Sequence, residues 1–339
     1  MKLSSVRSLK AELIETPTVA QAVAHAVGTT IRSASMRMRT AHVGTERAAT
    51  LALGVAPGRS RGDYRLAVRV QVRGPRGQAI ADQMARKAAG EADVRIVPTI
   101  RKRAPAPSWF RKRRRPLEAG VSVGHIQITA GTLGFVVEDD DFFYALSNNH
   151  VLADVNAGSP GDPVVQPGPD DRTPSKATMV GVLDRFVPIS FSRSNTVDCA
   201  VAQLFEDIEF FVGWTEAVPG RVRGTRKLTV DDLDRPVFKA GRTTGVTEGR
   251  ITAIDVDRLR VDMGEPGHPR VAIFSDQFEV QGDGRMFSDG GDSGSLIVDG
   301  SRRAVGLLFA GGEDDDGNDL TFANHVDSVL AKLGVRLVL

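Results

Sequence analysis

From Gly120 onward the chain is cut into short apolar segments separated by turns, and that texture leaves few folds open. The segments are "GVSVGHIQITAGTLGFVVE", "FFYALSNNHVL", "MVGVLDRFVPI", "TVDCAVAQL", "PVFKAGRTTGVTEGRITAIDVDRLRV", "QFEV", "SGSLIVD" and "AVGLLFAGG". Many short strands at close spacing predict a sandwich or barrel. A closing helix is expected from Asn324 as N-cap through "HVDSVLAKLG", ending near Gly334. No internal repeat is apparent.

The first hundred residues read differently. In residues 16 to 37, Val19, Val23, Ala24, Val27 and Ile31 stand at helical spacing after a Thr-Pro start. "TLALGVAP" and "YRLAVRVQVR" alternate apolar with polar positions and read as paired strands, followed by a helix in "GQAIADQMARKAAGE" and a strand in "DVRIVPTI". Helix, two strands, helix and strand make a small α+β unit. The expected organisation is this unit over residues 1–100, a basic proline-containing linker over 101–116, and a β-rich domain over 117–339.

Charge divides the chain at the same place. Residues 1–116 hold 24 Lys/Arg against 7 Asp/Glu, a balance of +17, whereas residues 117–339 hold 20 against 35, a balance of −15. A basic first part attracts nucleic acid or docks on its own acidic partner domain, and the ordinary solvated surface is the stronger reading. The linker "RKRAPAPSWFRKRRRP" interleaves Trp109 and Phe110 with its basic run, which is the sharper case for nucleic acid, and an exposed basic linker is also a site for proteolytic processing. The unit has three candidate roles that the sequence does not rank: capping a groove, assembling a homo-oligomer, or recruiting targets.

With 41% apolar and 25% charged residues, the chain has the composition of a soluble globular protein. No apolar run reaches the roughly 18 residues of a membrane span, and Glu12 and Glu15 interrupt the N-terminal stretch where a secretory signal would be apolar. A cytoplasmic location and no membrane partner are expected. The single Cys199 allows no internal disulfide and reads as a small buried hydrophobe.

Chemistry concentrates in three places. Ser293 stands in "SDGGDSGSLIV", and a serine hydroxyl becomes a nucleophile only beside a base that a third group orients. His150 follows an apolar strand in "ALSNNHVLAD". Asp198 in "NTVDCAVAQL" is the acidic residue of an alternating apolar strand, where a carboxylate needs a partner. Asp154, Asp162 and Asp184 are spare candidates for the acidic position. His25, His42, His125 and His268 read as structural or surface residues.

The order His, Asp, Ser, separated by 48 and 95 residues and joined to G-D-S-G, resembles the chymotrypsin-like serine proteases. "SNNHVLAD", "GDPVVQPGP" and "GDSGSLIV" look more closely like the trypsin-like group that includes the plant Narrow leaf protein, over about Arg115 to Gly334. The resemblance implies a mostly β fold, a chymotrypsin-like double β-barrel preceded by the small α+β domain. It implies a serine endopeptidase acting on protein or peptide substrates, with Ser293, His150 and Asp198 as triad and the backbone N–H groups of Gly291 and Ser293 as oxyanion hole. No metal or organic cofactor is implied. The alternatives are a regulated or silent scaffold that binds peptides, and a nucleic-acid-associated protein recruited by its basic first part.

Two further expectations come from the same resemblance. Asp292, which in digestive relatives pairs with a freed N-terminus, needs another cation, and Arg242 in "KAGRTTGVTEG" is the candidate. Phe287 with Ser288 would floor the specificity pocket, and Leu308, Phe309, Ala310 and Gly311 would wall it, with "TFAN" from Thr321 nearby. None of these carries charge, so an apolar or small P1 side chain is expected. The acidic "GGEDDDGND" loop lacks the Glu-terminated pattern of a calcium loop and reads as a solvated turn.

Overall fold

In the computed structural model the described residues are 1–15, 51–60, 62–71, 74–88, 90–97, 109–128, 130–215, 220–264, 268–283, 285–314 and 316–339. The helix expected within residues 16 to 37, the histidines at 25 and 42, and positions 101–108 of the linker lie outside them.

The first part contributes α1 (Leu3–Glu15), β1 (Leu51–Pro57), β2 (Tyr64–Val70), α2 (Gly74–Lys87) and β3 (Ala92–Ile96). Strands β1 and β2 run antiparallel, and α2 carries the chain across so that β3 joins β2 in parallel. The first barrel's stretch follows with β4 (Ser122–His125), β5 (Gly131–Thr132), β6 (Phe135–Glu138), β7 (Phe143–Ser147), the short α3 (Asn149–Leu152), β8 (Pro163–Val165), β9 (Met179–Phe186), β10 (Ser194–Asn195), which lies outside the barrel sheet, and β11 (Ala200–Leu204). The following stretch carries β12 (Pro236–Gly241), β13 (Gly245–Asp257), β14 (Leu259–Asp262), β15 (Val271–Phe274), β16 (Gln277–Gly282), β17 (Leu296–Asp299), β18 (Ala304–Glu313) and β19 (Asp319–His325); β14 and β15 form a separate three-stranded sheet with β10, and the other six build the second barrel. The chain then forms α4 (Val326–Leu333) and β20 (Arg336–Leu337).

The two barrels differ in closure. Strands β12, β17, β18, β19, β16 and β13 pair in a ring, because β12 also pairs with β13, which makes a closed six-stranded barrel. The first sheet runs β20-β6-β7-β11-β9-β8-β4-β5 and stays open. The architecture is the mostly β, chymotrypsin-like double barrel, one barrel closed and one half-formed. Its first core gathers Leu133, Val137, Leu146, Leu152 and Val201 with Val329 and Leu333 of α4; its second gathers Val237, Ile251, Phe278, Val280 and Ile297. The closing helix begins one residue later than expected, with His325 as N-cap and Gly334 left-handed at its end, φ 67°. Asn324 stays in β19, where it has another task.

The α+β part is joined to the second barrel by a sheet. Strand β13 is long enough to serve two partners: residues 245–250 close the barrel on β12, and the far end pairs with β1 at Leu53↔Asp257 and Val55↔Ile254. Register shifts between Ile251, Ala253 and Val256 bend the strand between these tasks. Both faces of β1 and β2 are covered, Leu53, Val55, Leu66 and Val68 by α1 and α2, Ala52, Ala56 and Ala67 by the barrel side. That is why β1 is buried along almost its whole length. Cations of the first part meet acids of the second: Arg7 pairs with Asp255 at 2.9 Å, Lys10 with Asp257 at 2.7 Å, and the buried Arg69 with Glu279 at 2.6 Å. Part of the sequence's charge asymmetry is thus paired within the chain.

Residues 109–116 are also docked. Phe110 is buried in the first barrel's core, Trp109 lies beneath the Arg114 guanidinium at 3.7 Å, and Arg111 approaches Asp171 at 3.8 Å. These aromatic rings are engaged in packing within the chain.

Candidate active site

His150 sits on the four-residue helix α3 immediately after β7, at the rim of the open barrel. The turn beneath it is tied by side-chain amides: Asn149 donates to the Asn156 side chain and the Val187 carbonyl, both at 2.8 Å. Asp198 precedes β11 and lies just outside the strand expected to contain it. Its carboxylate is fully buried and meets His150 Nδ1 at 2.5 Å, while the His150 backbone N–H reaches its other oxygen at 3.3 Å. A carboxylate only accepts, so Nδ1 carries the hydrogen and Nε2 is left as the ring's acceptor.

Two asparagines that sequence reasoning missed hold Asp198 in place. Asn148 donates to the Asp198 carbonyl at 2.7 Å, and the Asp198 N–H donates to Asn324 Oδ1 at 3.0 Å. The second contact crosses from one barrel to the other. The signal for Asn148 was its place beside His150; Asn324 resembled a helix cap, and only the β16–β19 pairing shows otherwise. The spare acids are used elsewhere: Asp162 faces His125 at 3.1 Å, Asp184 pairs with its neighbour Arg185, and Asp154 occupies a left-handed turn, φ 47°.

Ser293 is delivered by the loop before β17. That loop is pinned to the first barrel, because Thr132 N–H donates to the Ser293 carbonyl at 2.8 Å and Thr132 Oγ1 to the Gly291 carbonyl at 2.8 Å. The Ser293 hydroxyl donates to the Phe309 carbonyl at 3.5 Å, a long bond, and not to His150. The N–H groups of Gly290, Asp292, Gly294 and Ser295 all have acceptors within the protein. Those of Gly291 and Ser293 donate to nothing among the described residues. Two uncommitted amides flanking Asp292 are what an anion-binding hole requires. Glycine is needed at 291, where φ is +97° and a Cβ would stand 2.3 Å from Arg242 Nη1 and 2.7 Å from Thr243 Oγ1.

Asp292 is fully buried beneath this loop, and the cation beside it is Lys239, not the expected Arg242. Lys239 Nζ lies 3.3 Å from Asp292 Oδ2, with both side chains sealed from solvent. Asp292 also accepts from Thr243 N–H at 2.7 Å, Thr244 Oγ1 at 2.7 Å and Asp289 N–H at 3.0 Å. Burial lowers the Lys239 pKa, and the Asp292 charge pulls it back. Arg242 instead makes a two-pronged contact with Asp171 at 2.6 and 2.9 Å, clamping the second barrel to a loop of the first. Lys239 was hard to see in "PVFKAG", where it reads as the polar member of an alternating strand.

The residues expected to shape the pocket separate into two groups. Phe287 turns its ring into the core of the second barrel, as does Leu308, and Phe309 packs on Phe274 with ring centroids 4.7 Å apart. Ala310 is buried in that same neighbouring cluster. These four side chains point into packing, so toward the cleft they supply backbone. Ser288 and Gly311 do meet: Ser288 Oγ lies 2.6 Å from Thr321 Oγ1, and a Cβ on Gly311 would stand 3.3 Å from Ser288 Oγ. The premise that no charge lies there fails, because Asp319 accepts the Phe287 and Ser288 N–H groups at 2.7 and 3.3 Å.

Cys199 is buried, with its thiol pKa pushed well up by burial and then by the Asp198 charge, which keeps it from reacting as a thiolate. In the acidic loop, Asp314 spends its oxygens on Asp316 N–H, Asn318 N–H and Asn318 Nδ2. Among the described residues no cluster of His, Cys, Asp and Glu is arranged to hold a metal, and no helix is long and apolar enough to cross a membrane.

No protein-family model matches the chain, and no curated protein sequence does. Solved structures with a similar path include protease A of Thermobifida fusca, 17% identical with a TM-score of 0.46, covering 66% of this chain and 98% of that one. A chymotrypsin of Cellulomonas bogoriensis is 18% identical, TM-score 0.45, over 66% and 98% of the two chains. A glutamic acid-specific serine protease is 18% identical, TM-score 0.47, over 65% and 100%. Which residues react rests on the site itself.

Proposed function

We propose that the chain is a serine endopeptidase of the trypsin-like kind that resembles the Narrow leaf group, its substrate a protein or peptide and its setting the cytoplasm. The observation that carries the proposal is the His150–Asp198 pair at 2.5 Å, its carboxylate fully buried, on the same barrel to which Thr132 pins the loop that offers the Ser293 hydroxyl and the two free amides of Gly291 and Ser293. Substrate binding rotates the Ser293 hydroxyl from the Phe309 carbonyl toward His150 Nε2; an Oγ held by one 3.5 Å bond turns at little cost. Ser293 Oγ then attacks the scissile carbonyl carbon while Nε2 takes its proton. The carbonyl oxygen becomes an oxyanion held by the amides of Gly291 and Ser293, where one donor contributes about 3 kcal/mol of transition-state stabilisation. Asp198 keeps the imidazole in its Nδ1–H tautomer and stabilises the imidazolium. The imidazolium returns its proton to the leaving amine, and water, activated by the same ring, releases the acyl group.

A second reading, a resting scaffold that binds peptides without turnover, is favoured by that same Ser293–Phe309 contact. Labelling with a fluorophosphonate separates the two. The native chain is expected to label and Ser293→Ala not to; equal labelling of both, or of neither, removes Ser293 as the nucleophile.

A further inference from the structure

The geometry points to β3 as a dimer interface, the strands of two copies of this chain pairing antiparallel about Val94. The surface belongs to the α+β part and does not depend on what Ser293 does.

Strand β3 ends the nine-stranded sheet that begins at β12, with β2 on one side and no strand on the other among the described residues. It pairs with β2 in parallel at Leu66↔Ala92, Val68↔Val94 and Val70↔Ile96. The Leu66 N–H donates to the Glu91 carbonyl and the Val97 N–H to the Val70 carbonyl, which fixes the phase of the ladder. In that phase the odd-numbered residues of β3 spend their N–H and C=O groups on β2. Those of Ala92, Val94 and Ile96 point outward, and they bond to nothing among the described residues. Such an edge pairs with another chain unless something blocks it, and the usual blocks are proline, a bulge or repelling charges. Ala92–Ile96 contains no proline or bulge, and its two charges, Asp93 and Arg95, are opposite in sign.

The order of those charges selects the partner and the register. A two-fold axis at Val94 sets Val94 against Val94 of the second copy and Ala92 against Ile96, so that every outward group finds a mate. Asp93 then faces Arg95 of the second copy in the non-hydrogen-bonded position, where Cα atoms stand about 4.5 Å apart and side chains come closest. Moving the axis to residue 93 or 95 keeps the bonding phase but sets Asp93 against Asp93 or Arg95 against Arg95, and it leaves one outward residue unmated. Unlike charges therefore meet in the register with the most backbone bonds. Both side chains are open enough to reach across, Asp93 25% and Arg95 22% exposed. Asp93 already holds Arg69 at 2.8 Å, and Arg95 Nη1 donates to Gln281 at 2.9 Å, which leaves Arg95 Nη2 unbonded among the described residues. On the other face, Ala92, Val94 and Ile96 are half-buried against the core under α1 and α2, and the added strand covers the apolar surface they leave open. A contact of this isologous kind closes at two copies.

Sedimentation velocity on the full-length chain is expected to show a monomer–dimer equilibrium with Kd below about 10 µM. Val94→Pro removes an outward N–H and no bond to β2, so it should give a monomer whose far-UV circular dichroism and urea midpoint match the parent. Arg95→Glu sets like charges opposite one another at both ends of the contact and should raise Kd at least about tenfold. Arg95→Lys keeps the sign and should keep the dimer. Both changes at Arg95 leave the backbone bonds untouched, so they decide the matter if Val94→Pro does not fold. A parent still monomeric at about 100 µM, a dimer unmoved by Arg95→Glu or by folded Val94→Pro, or an equal loss in Arg95→Lys and Arg95→Glu overturns the inference. Fluorophosphonate labelling bears on Ser293 alone: a labelled monomer keeps the endopeptidase and removes the dimer, and an unlabelled dimer does the reverse.

Discussion

Glu279 and Asp292 are both fully buried, the first on the face of the second barrel that meets the α+β part and the second beneath the Ser293 loop, and each faces a buried cation, Arg69 for the first and Lys239 for the second. The Arg69 guanidinium spans two carboxylates and two backbone carbonyls, with Glu279 at 2.6 and 2.8 Å and the Asp93 carboxylate at 2.8 Å. Burial alone would lower its pKa, but the charges of Glu279 and Asp93 raise it above the ordinary guanidinium value. Lys239 is a single point charge among hydroxyl and carbonyl groups, bonded to Thr244 Oγ1, and burial wins there. The planar fork suits a fixed seam between β2, β3 and β16; the compact ammonium suits the underside of a loop. One pair secures how the α+β part sits on the barrel, and the other secures where the Gly291 and Ser293 amides point.

The largest effects should come from breaking the two pairs in parallel. Lys239→Met and Arg69→Met each leave a buried carboxylate uncompensated, which costs about 3–5 kcal/mol, measured by urea unfolding. They should part in activity. Lys239→Met is expected to lower kcat/KM by about 10²–10³-fold through the displaced amides, while the folded fraction of Arg69→Met keeps the parent rate. Equal losses of rate in both variants would erase the distinction drawn here.

A smaller effect sharpens the role of the contact between barrels. Asn324→Ala removes the acceptor of the Asp198 N–H and leaves a buried donor unmet, worth about 1–3 kcal/mol. It should appear in kcat with KM unchanged, since Asn324 acts on substrate only through Asp198 and His150. A change in KM alone would argue for a packing role.

The smallest effect concerns Asp319, a carboxylate of the same barrel that pairs with no cation among the described residues. Its native pKa of about 6 lies above the unfolded carboxylate value of about 3.9. Between those values the native state binds more protons, so its contribution to stability is complete below about pH 4 and is lost as pH rises to about 6. Asp319→Asn should flatten the stability profile in that window, and an unaltered slope would place the titration elsewhere.

The sequence alone carried the β texture after Gly120 and the order of His150, Asp198 and Ser293 with its G-D-S-G motif. These depend on residue type, local period and short motifs, which act over a few neighbours in the chain. Tertiary structure decided what those features rest on. Lys239 in place of Arg242 as the partner of Asp292, Asn324 as a brace in place of a cap, and the ion pair joining Arg69 to Glu279 all follow from strand pairings across tens to hundreds of residues. Phe287 was assigned to the pocket by its distance from Ser293, but burial of its ring in the barrel core turned it inward. Asp319 was hidden in an acidic stretch that looks like a solvated turn. Its carboxylate acquires a direction only when β18 and β19 pair in one register, because a strand's two faces alternate and a slip of one residue would point it away.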